Sequence, residues 1–362
     1  MIFIPAKLRW AAFAVLLALV LPACNRGRGR VLEIAYVSGV QVNLRDRVAA
    51  VYEKAGLVKN GDRVEVLDRD RRFVKVRTAT GQMGWMEQRY LVSQQVFDQL
   101  QKLTAENAND PVQAQGVTRN DTNLHVAPGR DTEHLYQILA GEKLLLLKRG
   151  TAEKAGSVAP ARTVTSAEKT GNNPGQRKGG VATDHPATSK TALPHPVIED
   201  WWLVRDSNGR VGWVLSRMVD LDIPLEVAQY AEGQRIVAFF VLNEVQDGDK
   251  KVAQYLTVLT EPKDGLPFDF NQFRVFTWNV KRHRYETAYR ERIEGVLPVT
   301  VTQEDFGKEG VLPAFVIRVL DENGKVNERK YKLNTPIVRR VLAPGEEPQK
   351  TIRKRPPLRR RH

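Results

Sequence analysis

The chain has 362 residues, 27% of them charged, with a formal net charge of +14 and one cysteine. A lone cysteine excludes an internal disulfide, and the length is too great for one small core, which predicts two or three domains. The positive balance is uneven, because Arg339 to His362 holds nine Lys or Arg against Glu346 and Glu347.

Residues 1–23 read as an export signal. Lys7 and Arg9 precede an apolar run from Ala11 to Leu21, and small Ala23 stands before Cys24. The run is too short for a comfortable lasting membrane span. Leu21-Pro22-Ala23-Cys24 resembles a bacterial lipoprotein signal, which implies cleavage before Cys24 and acylation of its sulfur, by palmitate among other chains, and of its freed amine. Several acyl chains hold a protein on a membrane, at about 0.8 kcal/mol per buried methylene. The alternative is an ordinary signal peptide with an incidental cysteine. An exported, tethered chain rarely meets nucleic acid, so its positive charge points to anionic lipid, acidic glycan or an acidic protein.

The mature chain carries an internal repeat. Asn43-Leu44-Arg45 matches Asn123-Leu124-His125, and Gly61-Asp62-Arg63-Val64 matches Gly141-Glu142-Lys143-Leu144, both at an offset of 80. Phe73-Val74-Lys75-Val76-Arg77 then matches Trp201-Trp202-Leu203-Val204-Arg205, and Gly81 to Trp85 matches Gly209 to Trp213, at an offset of 128. The second copy therefore has 48 extra residues, about 150–197, without Phe, Trp or Tyr. Such a segment cannot bury enough apolar surface to offset an ordering entropy of about 1 to 2 kcal/mol per residue, and disorder is expected. Each copy reads as short alternating strands, Arg63 to Leu67 and Phe73 to Arg77 in the first. Asn60-Gly61 and Asn208-Gly209 supply tight turns, and Gly84 and Gly212 let a strand bend before its Trp.

This ordered set resembles the bacterial SH3-like family over residues 31–93 and, apart from the insert, 113–222. The resemblance implies two small barrels that bind peptides or peptidoglycan stems and bridges. It offers Phe73 and Tyr90 in the first copy and Trp201 in the second as ligand-binding candidates. Strand alternation sends Trp201 to the face opposite Trp202 and Val204. Leu215 and Met218 stand where the family's Pro and Tyr are expected, so neither copy has a complete aromatic groove. Trp85 and Trp213 read as filler of a small barrel. Between the copies, 94–112 is a linker in which Val96, Leu100 and Leu103 mark a short amphipathic helix from Gln94 to Asn109, packed on the adjacent barrel.

Residues 225–343 read as a further antiparallel β domain, a barrel or a sandwich, which makes the whole chain all-β. Strands are expected at Arg235 to Leu242, Ala253 to Thr260, Phe273 to Val280, Tyr285 to Arg290, Val296 to Val301, Ala314 to Leu320 and Glu328 to Leu333. Asp247-Gly248 and Asn323-Gly324 mark hairpins. With a turn at Lys281 to His283, alternation puts Tyr285, Thr287 and Tyr289 on one face. Arg284, Tyr289 and Arg290 are candidates for gripping an acidic ligand, since Arg offers a planar fork to carboxylate or phosphate. The alternative is a hairpin of core tyrosines and solvated ion pairs. Residues 344–362 read as a disordered basic tail against anionic lipid or wall polymer, or as a merely solvated one.

No catalytic set emerges. The six histidines show no metal-ligand spacing, and there is no Gly-x-Ser-x-Gly, His-Glu-x-x-His or phosphate-cradling Gly-rich loop. Neither metal nor cofactor is expected. Acid pairs such as Glu304 and Asp305 leave an enzyme as a lesser alternative. The expectation is a non-enzymatic envelope lipoprotein that binds peptidoglycan or an envelope protein; the lipoprotein resemblance, with Asn25 after Cys24, implies the outer rather than the inner membrane. The alternatives are an adaptor for one envelope complex and a wall hydrolase with a C-terminal site.

Overall fold

The computed structural model describes residues 30–158, 196–342 and 345. Cys24 and its signal, most of the insert and the basic tail lie outside the described residues. The described chain is all-β, arranged in antiparallel sheets. Its contacts divide it into two units. One runs to Leu103 and adds Asn123–Val126 and Glu133–Ile138, and the other holds the remainder.

In the first unit, β1 (Glu33–Val37), β2 (Gln41–Arg45), β3 (Lys54–Lys59), β4 (Arg63–Asp70), β5 (Phe73–Thr78), β6 (Met83–Glu87) and β7 (Leu91–Ser93) form one sheet of order β3-β2-β6-β5-β4-β1-β7. Alternation builds its core, because Val64, Val66, Val74, Val76 and Met86 point one way and meet Val37, Leu44 and Val58. A Cβ on Gly84 would lie 2.7 Å from Leu44 Cβ, so glycine is what lets β6 come against β2. The expected helix is α1 (Gln94–Glu106), with Val96 and Leu100 buried. Its Phe97 stacks on Tyr36 of β1 at 4.1 Å.

In the second unit, β8 (Ala114–Thr118), β11 (Lys143–Val158), β12 (Pro196–Arg205), β13 (Val211–Leu215) and β14 (Val219–Leu221) follow the order β13-β12-β11-β8-β14. That order reproduces β6-β5-β4-β1-β7, and the registers agree residue for residue. Val66 faces Val76 as Leu146 faces Val204, and Val74 faces Met86 as Trp202 faces Val214. Even the bulge recurs, after Val66 and after Leu146. Between β8 and β11 run β9 (Thr122–His125) and β10 (His134–Ile138), which pair with each other. The ends of the insert are strand rather than the expected disordered loop. β11 continues past Gly150 with Thr151, Ala152 and Glu153 opposite Asp200, Glu199 and Ile198, because ladder hydrogen bonds need no apolar side chain.

The last third is a seven-stranded meander of β15 (Arg235–Asp247), β16 (Lys250–Thr260), β17 (Phe270–Asn279), β18 (Arg284–Asp305), β19 (Val311–Leu320), β20 (Val326–Asn334) and β21 (Ile337–Val341), in sequential order. It is neither a barrel nor a sandwich. Successive hairpins leave β15 and β21 as its two edges, and none of the described sheets closes into a barrel. The sheet curls instead, so that Gln303 of β18 donates to the Leu242 carbonyl of β15 at 2.9 Å. One face packs Phe273, Phe315 and Tyr331, whose rings lie 5.1 to 6.0 Å apart. The other packs Phe276 and Tyr285 with Val227 of the short helix α2 (Leu225–Ala228). The two strands expected at Tyr285 to Arg290 and Val296 to Val301 are one strand, β18. Its ladder to β19 breaks only between Val296 and Thr300.

Candidate ligand groove of the first sheet

A cavity of about 350 Å³ opens on the first sheet, lined by β2, the end of β6 and the turn that follows it. Alternation in β2 turns Val42 and Leu44 into the core and leaves Gln41, Asn43 and Arg45 on the groove side. The loop after β2 is closed at its base. Glu53 N donates to Asp46 Oδ1 at 2.8 Å, and Asp46 N donates to the Glu53 carbonyl at 3.0 Å. The Glu53 amide, and after it Arg47, hold the Asp46 carboxyl below the usual range. This closure returns Tyr52 to Arg45, whose guanidinium carbon sits 4.1 Å from the Tyr52 ring centroid and 4.9 Å from that of Phe73.

On the other wall, Glu87 bridges two arginines. Arg45 Nη2 lies 3.8 Å from its Oε1, and Arg89 Nε lies 2.8 Å from its Oε2. Arg89 also covers the Tyr90 ring at 4.7 Å and donates to the Tyr90 hydroxyl at 2.8 Å. Tyr90 comes from a single 3-10 turn, Gln88–Tyr90, and its ring lies against Gly39. The groove thus offers two aromatic faces, a cation held between rings, one carboxylate and the amides of Gln41 and Asn43. Those groups suit an extended peptide, whose carbonyls and N–H groups they can pair while its side chains cover the rings.

Of the candidates taken from the sequence, Tyr90 lines this groove, whereas Phe73 does not and is buried at 5% exposure beneath Arg45 and Arg72. Arg45, Tyr52 and Glu87 were not singled out as site residues. Trp201 stands at the position of Phe73 but is only 2% exposed and has no surface to offer a ligand. Trp85 and Trp213 are half-buried rather than central, because alternation places them opposite Val74, Met86, Trp202 and Val214.

The grip proposed for Arg284, Tyr289 and Arg290 is not assembled. Tyr285 faces Trp278 and Thr287 faces Phe276, but Tyr289 faces Val275, so Ala288 is an extra residue. That bulge resets the alternation and puts Tyr285 and Tyr289 on opposite faces of the sheet. Arg284 faces Asn279 and Arg290 faces Arg274, so these two are also on opposite faces. Arg284 pairs with Glu286 at 3.3 Å and Arg290 with Glu232 at 3.4 Å. Tyr289 belongs to the core beside Phe273 and donates to Glu291 at 2.8 Å. Burial, and then the Glu291 carboxylate, push its hydroxyl pKa up. Among the described residues no three His, Cys, Asp or Glu side chains form a metal-binding group, and no helix is long and apolar enough to cross a membrane.

Residues 39–92, which contain the whole groove, match the bacterial SH3 domain family. No curated protein matches the chain. Among solved structures, the chain is similar to an NlpC/P60 family protein from Bacillus cereus, with 12% identity over 84% of this chain and 95% of that one and a TM-score of 0.22. It is also similar to NlpC1 and NlpC2 from Trichomonas vaginalis, each 9% identical over 85% of this chain and 91% and 95% of theirs, with TM-scores of 0.18 and 0.16. Superpositions this loose bear on neither fold nor activity.

Proposed function

We propose that the protein is a non-enzymatic binding module of the bacterial cell envelope, tethered through acylated Cys24, whose first sheet binds peptide segments of peptidoglycan. The observation that carries this reading is the coincidence of the Arg45, Tyr52, Glu87 and Tyr90 groove with the bacterial SH3 match at 39–92. The lipoprotein-like signal supports the location, with Asn25 favouring the outer membrane. The shared registers and shared bulge of β4-β5-β6 and β11-β12-β13 support a second module of the same kind, with its ligand face altered by burial of Trp201.

The test is co-sedimentation of an acyl-free Cys24→Ala protein with purified sacculi at low and high salt. Binding that survives high salt and weakens about tenfold in Tyr52→Ala is the expected result, since a cation–π contact and its ring are worth about 1 to 2 kcal/mol. Binding abolished by salt but untouched by Tyr52→Ala moves the wall contact to the basic tail. An absence of sedimentation replaces the wall ligand with an envelope protein.

A further inference from the structure

The hairpin of β9 and β10 brings together His125 and His134, whose separation in the chain gives no hint of a shared site. Asn123–Val126 and Glu133–Ile138 both belong to the first unit. Val126 N donates to the Glu133 carbonyl at 2.9 Å. The next pair along the ladder, His125 and His134, is therefore a non-hydrogen-bonded one, in which facing side chains come closest. Leu124 and Leu135 are buried, and alternation turns both imidazoles to the opposite face, where they are half-buried. Asn60 holds β10 in place, donating to the Leu135 carbonyl at 2.8 Å and accepting from Gln137 N at 3.0 Å.

The repeat shows what is particular about this pair. Its counterpart in the first copy is Arg45 opposite Lys54, two fixed charges that keep a cation away. Histidines at the same two positions offer neutral nitrogen donors instead. Their ring centroids lie 5.0 Å apart, with the planes inclined at 42°. That separation is the one a chelate requires. Nitrogens about 2.0 to 2.1 Å from one ion, at about 90° to 109° to each other, put the ring centres about 4.5 to 5.2 Å apart.

We propose that His125 and His134 together bind one divalent transition-metal ion, with water in its remaining positions. Each ligand uses one ring nitrogen and keeps the other for a hydrogen bond. Imidazole selects Zn²⁺, Ni²⁺ or Cu²⁺ over Mg²⁺ and Ca²⁺, which take oxygen ligands. Among the described residues no third carboxylate, thiol or imidazole joins the pair, so the ion keeps open positions and stays exchangeable. The site shares no residue with the groove of the first sheet and does not depend on that reading.

Calorimetric titration of the acyl-free Cys24→Ala protein, made without a histidine tag, with Zn²⁺ tests the proposal. The result expected is one-to-one saturation, with Mg²⁺ giving none. His125→Gln and His134→Gln each weaken it tenfold or more, and the double variant is no weaker than about twofold below either, because a chelate is lost with either arm. Tyr52→Ala leaves this binding unchanged. NMR of the histidine rings gives a second reading that no ligand substitution can disturb: one equivalent of Zn²⁺ moves the signals of His125 and His134 together. No saturation up to about 1 mM, equal binding of Mg²⁺, full binding by either single variant, or movement of other histidines instead overturns the proposal.

Discussion

Glu199 and Asp200 are adjacent buried carboxylates on β12, and alternation hands them to different arginines. Glu199 takes a two-pronged contact from Arg130, whose hydrogen bonds lower its pKa from the ordinary 4.5 against the opposing effect of desolvation. A depressed folded-state pKa means that the unfolded chain binds the proton more readily, so stability from this pair is fully present above about pH 4.5 and fades as pH falls further. Arg130→Gln should therefore cost about 2 kcal/mol at pH 7 and progressively less towards pH 3. Urea denaturation at several pH values measures the gap. A gap that stays constant would assign the loss to packing of the Arg130 stem instead of its charge.

At the scale of elements, the hairpin of β17 and β18 depends on close approach as much as on pattern. Gly295 lies opposite Phe270, and a Cβ there would come 2.1 Å from the ring. Gly295→Ala must push a fully buried phenylalanine aside, an overpacking that costs about 1 to 3 kcal/mol and lowers the melting temperature of the second unit. The same hairpin shows what the sequence carries and what it hides. Its turn was legible, as were those at Asp247-Gly248 and Asn323-Gly324, because turn chemistry is local. The repeat was legible down to its core valines, because strand period and burial act together. The bulge at Ala288 was not, since one extra alanine has no compositional signature, yet it reverses the face of every residue beyond it. Tyr285 to Arg290 and Val296 to Val301 read as two strands, whereas β18 runs through Gly295 and Pro298, with Pro298 falling where the ladder to β19 is interrupted. In the groove, Tyr90 follows from motif order. Arg45 and Tyr52 follow only from the Asp46 to Glu53 loop closure, which joins residues by backbone hydrogen bonds that no spacing announces.

On the scale of the molecule, the second unit holds two sheets that share buried polar contacts. Arg149 of β11 and Asp200 of β12 are 6% and 1% exposed. Arg149 also donates to the Asp269 carbonyl at 2.6 Å, just before β17, while Asp200 accepts from Arg235 of β15 at 3.1 Å and from Gly265 N at 3.0 Å. Gln113 adds a further tie by accepting from Val299 N of β18 at 2.7 Å. A buried ion pair contributes little over an apolar replacement, but removing one partner strands the other, at about 3 to 5 kcal/mol. Asp200→Ala should thus loosen both sheets of this unit together, because Arg149 and Arg235 belong to different sheets and lose the same acceptor. Hydrogen exchange reads the consequence directly: amides of β11, β12, β15 and β16 should lose protection in step, while those of β4 and β5 in the first unit keep theirs. Loss confined to β11 and β12 would mean that the last sheet stands without these contacts, and that the meander and its neighbour fold as separate cooperative units.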